Sequence, residues 1–550
     1  MSWLSYCYKT YQNSVSEIGK QQPGKVPLLP VAHTTQQVNI EVELDKDGNF
    51  QYAGLLAQDQ RTTIIPCTEE SSARTSGMVP HPLVDKLQYI AADYPTFGGS
   101  KESGWPLYHK QLQAWCTSPY AHPAVCTVLH YLEKECLIAD LVKANILFID
   151  ENGTLPTKWQ GNKEDKPPIL DTLTGSDQTE SFVRFRVDNV DLSRDTTVRE
   201  SFIRFYETQL KDIDYCTVQG IKMPVSTLSP YKIRNPGDRA KLISSNDNTN
   251  YTYRGRFADA AQALSIGYET TQKAHSALRW LVSKQGVNTG DQTVLVWGTQ
   301  NEAVPNVLGD TLDIAQEYNP LAGDDWDDFE EDTERLPADT QEEIARQFNR
   351  AILGYQHQLK DNSQTAVMIL DSATPGRLSI RYYQELQGSK LLANIKDWHD
   401  TFQWQLEYRS VEEPTELGKK PKIKKVVFVG APAPADIAKA AYGEKVDAKL
   451  KQATIERLIP CITNGERFPR DLMISAVDRA TNSIGLDYWE QQKAQNIACA
   501  LVRGYYHRNK KVDYPMNVDE TIKDRNYLFG RILACAEQIE RRALIQLGNE

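Results

Sequence analysis

The residues of this chain that could do chemistry are cations grouped with hydroxyls, amides and aromatic rings. Arg74-Thr-Ser-Gly77 places a guanidinium, two hydroxyls and a glycine turn side by side, and Lys86 and Gln88 follow closely. Arginine, hydroxyls and backbone amides are the groups that hold phosphates or reach base edges in nucleic-acid complexes. The pattern suits such contacts, and an ordinary surface turn is the alternative.

Two further basic stretches follow in the middle of the chain. The segment 232–241 carries Lys232, Arg234, Arg239 and Lys241 around the turn sequence Asn-Pro-Gly-Asp. Residues 251–256 interleave two tyrosines with Arg254 and Arg256, the pairing that proteins use to stack on and track a single strand. Each stretch alone is equally typical of a solvated basic loop.

The carboxy-terminal third carries the densest basic clusters. They are Lys419–Lys425 and Arg503–Lys511. On a helical bundle these cations would form a stripe along a nucleic-acid strand, with simple solubility as the alternative. Arg377 and Arg381 alternate out of a predicted strand, where ion pairing explains them as well as nucleic acid does.

Sequence motifs for catalysis are absent. The chain has no GxxxxGK[ST] loop, no GxSxG and no HExxH. Cys126, His130 and Cys136 could ligate zinc, but the helical period puts Cys126 on an apolar face, so core packing is predicted instead. We therefore expect no enzyme activity, no metal and no cofactor.

An acidic run is the other conspicuous feature. Eight of the eleven residues 324–334 are Asp or Glu, and residues 301–350 hold 15 acidic against 3 basic residues. A two-metal nuclease spaces single carboxylates on rigid elements, whereas crowded carboxylates repel one another. The run is predicted to be an exposed linker, and it accounts for the net charge of −11.

Composition bounds the class of protein. The 550 residues are 40% hydrophobic and 25% charged, typical of a folded globular protein with several domains. Nine cysteines without a CxxC pair argue against a disulfide framework or a zinc ribbon. No run approaches the ~18 apolar residues that a membrane span needs, and Met1–Tyr11 lacks an apolar signal region, so we expect no membrane partner and a cytoplasmic location.

The elements that must position these residues indicate an α+β protein. Alternating apolar residues predict a strand at Val38–Leu44, residues of strong β character predict another at Phe182–Val187, and one helix is predicted over Ala258–Ser283. From about residue 435 the chain is mainly helical. We predict a mixed α/β amino-terminal region (1–320), an acidic linker (321–340), an α+β continuation (341–425) and a carboxy-terminal helical bundle (426–550).

Together these stretches resemble the large subunit of the type I-C CRISPR surveillance complex, called Cascade, as a divergent member. Five segments carry the resemblance and occur in the order of the family. They are Arg74–Pro80 with Leu83, Asp85 and Tyr89; Asp214–Gly220 with Ala240–Asn246; Gly290–Trp297; Arg377–Arg381; and Met516–Glu520 with Tyr527–Glu537.

The resemblance implies a non-catalytic protein. Such a subunit recognises the protospacer-adjacent motif (PAM) on target double-stranded DNA, promotes guide-directed R-loop formation and supports the displaced strand. Its partners are the crRNA-bearing backbone subunits, the subunit that binds the 5′ handle and a helicase-nuclease. For the PAM-proximal duplex we name Arg74, Thr75, Ser76, Lys86 and Gln88.

A second set of residues is assigned to the DNA backbone or the displaced strand. It consists of Lys232, Arg239, Lys241, Asn246, Arg254, Arg256, Arg377, Arg381, Arg503, Arg508, Lys510 and Lys511. The resemblance also implies a small helical subunit translated from the same reading frame. That module would begin near residue 426, at a valine codon such as Val426, Val427 or Val429.

Two other classes of function remain open on the sequence alone. A stand-alone single-strand-binding protein would bind DNA tightly without guide RNA. A metal-dependent nuclease would cut DNA by itself, using carboxylates such as Asp324 to Asp328.

Overall fold

The computed structural model describes residues 2–74, 77–99, 101–156, 159, 166–173, 175, 177–235, 237–244, 257–317, 341–359, 363–374, 377–413, 422–482 and 484–547. The chain forms two compact units, each built from two stretches of sequence. The first unit holds residues 1–304 and 358–389, and the second holds residues 305–357 and 390–550.

The first unit contains most of the strands. In chain order they are β1 (His33–Gln37), β2 (Ile40–Leu44), β3 (Phe50–Leu55), β4 (Thr62–Pro66), β5 (Asp85–Lys86), β6 (Phe182–Val187), β7 (Val190–Asp191), β8 (Ile213–Tyr215), β9 (Lys222–Pro224), β10 (Val287–Thr289), β11 (Gln292–Gly298), β12 (Gln364–Thr374) and β13 (Arg377–Gln387).

Nine helices of the first unit are described. They are α1 (Trp3–Asn13), α2 (Glu69–Ser72), α3 (Leu87–Ile90), α4 (Trp105–Cys116), α5 (Pro123–Leu132), α6 (Leu137–Lys143), α7 (Thr196–Glu207), α8 (Ala260–Ala263) and α9 (Tyr268–Gln285). Short 3-10 turns lie at Val15–Glu17, Gln58–Gln60, Tyr94–Phe97, Pro168–Asp171 and Gln178–Glu180.

A five-stranded sheet organises the region around the later site. Its order is β3-β2-β6-β5 with β7 also on β6, and only the β2–β6 pair is parallel. β6 is buried because Phe182, Val183, Phe185 and Val187 all lie in one large apolar core. The short strand β5 therefore pairs with a buried strand.

A four-stranded antiparallel sheet forms the other half of the first unit. Its order is β10-β11-β12-β13. Helix α9 supplies Ala274, Ala277 and Leu278 to a second apolar core, which Trp297 of β11 shares. The apolar face of this long helix therefore packs against the sheet.

The second unit is mainly helical. Its elements are α10 (Thr311–Glu317), α11 (Gln341–Gln358), α12 (Gly388–Thr401, which begins at the end of the first unit), the strand pair β14 (Trp404–Glu413) and β15 (Lys422–Gly430), then α13 (Pro434–Tyr442), α14 (Ala448–Thr463), α15 (Arg470–Thr481), α16 (Tyr488–Tyr505), a π-helical turn (Tyr506–Lys510) and α17 (Arg525–Gln546).

Stacked aromatic rings form the centre of the second unit. Trp398 and Phe402 lie 4.1 Å apart between ring centroids, and Phe468 packs 5.1 Å from Phe402. All three side chains are buried. The predicted start of a separate bundle near residue 426 falls within β15.

The predicted α+β class is confirmed. The strand Phe182–Val187 is present as predicted, and the strand predicted from Val38 begins at Ile40. The single helix predicted over 258–283 is wrong, because it is interrupted between α8 and α9. There the carbonyls of Ser265 and Ile266 accept hydrogen bonds from the backbone N–H groups of Thr217 and Ser226. These carbonyls therefore do not make helical hydrogen bonds.

Candidate nucleic-acid interface

A cleft of about 510 Å³ lies in the first unit, beside the β5–β6 edge of the five-stranded sheet. It gathers four of the predicted cations with two tyrosines and a phenylalanine. Its lining residues are Gln36, Ser71, Arg74, Gly77, His81, Lys86, Tyr89, Phe182, Tyr231, Lys232, Gly237 and Arg239. Cations from positions 74, 86, 232 and 239 thus meet at one place.

One wall of the cleft is built around a buried ion pair. The Arg74 guanidinium meets the Asp85 carboxylate with two bonds of 2.8 and 3.0 Å, and it also donates to the Val79 carbonyl at 2.8 Å. It lies 4.5 Å from the centre of the Tyr89 ring. The Asp85 side chain is fully buried, and it also accepts the His81 backbone N–H. Arg74 therefore shapes this wall through internal contacts.

Lys86 and Gln88 are also engaged within the fold. The Lys86 ammonium pairs with the Glu180 carboxylate, which takes a second bond of 2.5 Å from Lys101. The Gln88 amide donates to the Glu102 carbonyl at 2.8 Å, and Gln88 does not line the cleft. Thr75 and Ser76 lie outside the described residues. The predicted PAM contacts of these residues stay predictions.

The opposite wall is the loop from Tyr231 to Arg239. Its shape is fixed by the Lys232 N–H, which donates to the Asp238 carbonyl at 2.8 Å, and by the Arg234–Asp238 ion pair of 2.9 Å. Ile233 and Ala240 anchor the loop in an apolar core. These contacts hold the loop while using none of the charged groups of Lys232 and Arg239.

A buried carboxylate ties this loop to the other wall. Glu69, at the start of α2, accepts the N–H groups of Thr227 and Leu228 at 3.0 Å each, and the hydroxyls of Ser226 and Thr227. The segment that leads into the Tyr231–Arg239 loop is thus fastened to the helix that precedes Arg74. Glu69 stands next to Glu70 in an ordinary acidic pair, so the sequence alone did not indicate this role.

The two walls differ in charge. Asp85 and Glu180 neutralise the Arg74 and Lys86 side, whereas Lys232 and Arg239 have no carboxylate partner among the described residues. Burial lowers the pKa of Lys232. The cleft as a whole presents surplus positive charge beside aromatic rings, a combination suited to a phosphate backbone.

His81 contributes no charge to the cleft at neutral pH. Its ring is buried between the Ser71 hydroxyl, at 3.0 Å from Nδ1, and the Gln36 amide, at 3.3 Å from Nε2. Burial lowers the pKa of His81 to about 4. The imidazole therefore acts as a neutral hydrogen-bonding spacer.

The other predicted positions of the first unit are not in the cleft. Lys241 is half-buried just beyond it. Arg381 lies on β13 with its guanidinium 3.8 Å from Asp371. Arg377 begins the same strand, and its side chain is outside the described residues, as are all of Asn246, Arg254 and Arg256.

In the second unit, two predicted arginines hold the fold together. Arg503 donates to the carbonyls of Asp400 and Thr401 at 3.0 and 2.9 Å, at the end of α12. Arg508 is only 6% exposed; it bonds Asp397 at 2.7 Å and lies 5.4 Å from the Trp398 ring centre. Their predicted DNA contacts stay predictions.

Lys510 and Lys511 differ from these arginines. Both are exposed at the end of the π-helical turn, and Lys511 adopts a left-handed backbone with φ of 58°. No ion pair of either lysine is seen in the described part of the second unit.

Within the described ranges, no cluster of three or more His, Cys, Asp or Glu side chains is arranged to hold a metal ion. Residues 324–334 are not part of those ranges. Nor does any described helix have the length and apolar character to cross a membrane.

The comparison with protein families is decisive at the level of the whole chain. The model of a family described as CRISPR-associated protein (Cas_Csd1) matches residues 7–549. The chain belongs to this family of CRISPR-associated proteins. No curated protein matches the chain. The predicted CRISPR association is thereby confirmed, and the cleft is a feature of a Cas_Csd1 family member.

One buried cation is not among the residues that the sequence predicted. Arg279 lies in α9 within the run Ala277-Leu-Arg-Trp-Leu281, flanked by buried apolar residues. An arginine inside an apolar helical face is itself a signal, because such a residue is rarely buried without a partner.

Proposed function

We propose that this protein is the non-catalytic large subunit of a type I-C Cascade complex. The carrying observation is the cleft, which Lys232 and Arg239 line together with aromatic residues and without carboxylate partners in the described structure. This arrangement suits the phosphate backbone of target DNA next to the PAM. The charges of Arg74 and Lys86 are paired with carboxylates, so the wall that contains them contributes to the shape of the cleft.

The proposal assigns sequence discrimination to two sources. Base pairing with the guide RNA reads the target, so the protein needs only a few base contacts and phosphate neutralisation to start unwinding. A positively charged cleft is consistent with that division of labour.

The remaining roles follow from the same proposal. The subunit sits with the crRNA-bearing backbone subunits and the 5′-handle-binding subunit in the cytoplasm. It promotes R-loop formation, and exposed lysines such as Lys510 and Lys511 support the displaced strand. The assembled R-loop recruits a helicase-nuclease, and a small helical subunit is translated from the 3′ part of the reading frame.

The test of the cleft uses the assembled, guide-loaded complex. The Lys232→Ala/Arg239→Ala double variant is compared with Lys110→Ala/Arg194→Ala, which removes one exposed lysine and one exposed arginine elsewhere in the first unit. Binding to target duplex is measured across a salt series. The cleft variant should lower the slope of log K against log salt by about two, since one phosphate contact contributes about one.

Two results would contradict the proposal. One is a slope that changes equally in both double variants. The other is cleavage of labelled duplex by the purified chain alone with Mg²⁺ or Mn²⁺, which would make the protein a nuclease. Tight guide-independent binding of single strands would instead identify a stand-alone single-strand-binding protein.

A further inference from the structure

Gln36 is a cleft residue that was not among those predicted from the sequence. It lies on β1, a short strand that pairs with β4, and it is half-buried. It lines the cleft together with Ser71 and His81. Hydrogen bonds connect these three side chains in series, so the donor and the acceptor of each bond can be assigned.

The series begins at the capping box of α2. The Ser71 hydroxyl accepts the Thr68 backbone N–H at 2.9 Å and donates to the Thr68 carbonyl at 3.4 Å. Its contact with His81 Nδ1, at 3.0 Å, is therefore made as an acceptor. Burial lowers the pKa of His81 to about 4, so the ring is neutral at neutral pH and carries one proton. Nδ1 holds that proton, and Nε2 is left as an acceptor.

This tautomer of His81 orients the amide of Gln36. The Nε2 atom of Gln36 lies 3.3 Å from Nε2 of His81, and its N–H donates to that ring nitrogen. His81 is itself held, because its backbone N–H donates to the buried Asp85 carboxylate at 2.7 Å. Its ring centre lies 6.5 Å from that of Phe182 on β6. The amide therefore has one orientation on a fixed support.

One acceptor and one donor of this amide remain for a ligand. Among the described residues, no hydrogen bond is seen for Gln36 Oε1 or for the second N–H of its Nε2. A phosphate group offers only acceptors, and these would repel the amide oxygen. The major-groove edge of adenine offers the N7 acceptor beside the N6 donor, and a glutamine amide matches both.

We propose that Gln36 reads one adenine of the target duplex through its major-groove edge, with His81 as the positioning residue that orients the amide. The adenine N6 amine donates to Gln36 Oε1, and the second N–H of Gln36 Nε2 donates to N7. This inference rests on the proposed function for the identity of the ligand. It adds a base contact to the phosphate contacts that the proposed function assigns to Lys232 and Arg239.

The test measures base preference with the assembled, guide-loaded complex. Each base pair of the duplex that flanks the guide-matched region is replaced in turn, and the affinity for every duplex is measured. Gln36→Ala is compared with Gln37→Ala, which changes an exposed glutamine of the same strand whose amide donates to Thr62 at 2.9 Å. The wild type and Gln37→Ala should prefer adenine at one position by roughly five-fold or more, and Gln36→Ala should lose this preference alone.

Two further changes identify the atoms involved. 7-Deazaadenine, which lacks the N7 acceptor, should weaken wild-type binding at the preferred position and leave the affinity of Gln36→Ala unaltered. Gln36→Glu should replace the preference for adenine by one for cytosine, because a carboxylate accepts from the cytosine N4 amine. A preference that changes from one base to another is not a consequence of misfolding, so this variant separates base reading from stability.

His81→Phe tests the positioning role. The change keeps an aromatic ring and removes the acceptor that orients the Gln36 amide. The adenine preference should fall, whereas the salt slope, which reports phosphate contacts, should equal that of the wild type. A loss of affinity that is the same for every duplex would show that His81 is structural and would contradict its assignment.

Either of two outcomes overturns the assignment of Gln36. One is a base preference in Gln36→Ala identical to that of the wild type, which would mean that the amide only completes the hydrogen bonding of His81. The other is a Gln36-dependent preference for a base other than adenine. In both cases the salt slope of Lys232→Ala/Arg239→Ala still decides the proposed function separately.

Discussion

Basic side chains have different roles in this protein, depending on the groups that surround them. Arg74 and Arg508 are buried against carboxylates, rings and carbonyls, so their charge stabilises the fold. Lys232 is half-buried and Arg279 is buried, and neither has a carboxylate partner in the described chain. The cations most available to a ligand are therefore the unpaired ones, and not those in the most arginine-rich stretch of the sequence.

Asp85→Asn should destabilise the protein strongly. The change leaves the buried Arg74 guanidinium facing a neutral amide, and breaking a buried ion pair in this way costs about 3 kcal/mol or more. Urea unfolding measures the loss. Asp171→Asn, in an ion pair whose aspartate is 69% exposed, should cost roughly 1 kcal/mol or less. Equal losses would mean that the Arg74–Asp85 pair is solvated.

At the level of elements, one loop and the β5–β6 edge of the sheet line the candidate interface. The Tyr231–Arg239 loop is held by its own Arg234–Asp238 pair and by the clamp of Glu69 on residues 226–228. The loop itself is basic, with three cations against one acid in residues 231–239.

The π-helical turn of the second unit is predicted to be structural. Arg508→Ala removes bonds to Asp397 and to the Cys461 carbonyl and uncovers the Trp398 ring. The free energy of unfolding should fall by roughly 2–4 kcal/mol. Lys510→Ala, in the same turn but exposed, should change it by less than about 0.5 kcal/mol.

Denaturant unfolding of both variants checks this role, together with duplex binding of their guide-loaded complexes. An Arg508→Ala protein of full stability that has lost DNA affinity would contradict the structural assignment. It would instead support the original prediction of a DNA contact.

Over the whole molecule, buried histidines should make stability depend on pH. Burial lowers the pKa of His399 to about 3 and that of His33, His81 and His275 to about 4 each, below the value of about 6.5 of an unfolded chain. Between these two values the unfolded state binds more protons, so stability falls as the pH decreases from about 6.5 to about 4. From pH 7 to 5 each histidine should contribute a loss of about 2 kcal/mol.

Urea midpoints measured across this pH range test the dependence. His81→Gln should flatten it by about a quarter of the total histidine effect, because it removes one of the four buried histidines. His130→Gln, which changes an exposed histidine, should leave it unaltered. A pH dependence that is identical in both variants would show that His81 titrates normally in the folded protein.

The sequence by itself determined the α+β class, the strand Phe182–Val187 and the CRISPR association, since these follow from local periodicity and from motifs spread over the chain. It also selected the cations of the cleft. Which of them are paired was decided only by tertiary structure. Asp397 lies 111 positions from Arg508, and Glu180 lies 94 positions from Lys86. Sequence patterns report polarity along an element, whereas charge compensation depends on which elements meet.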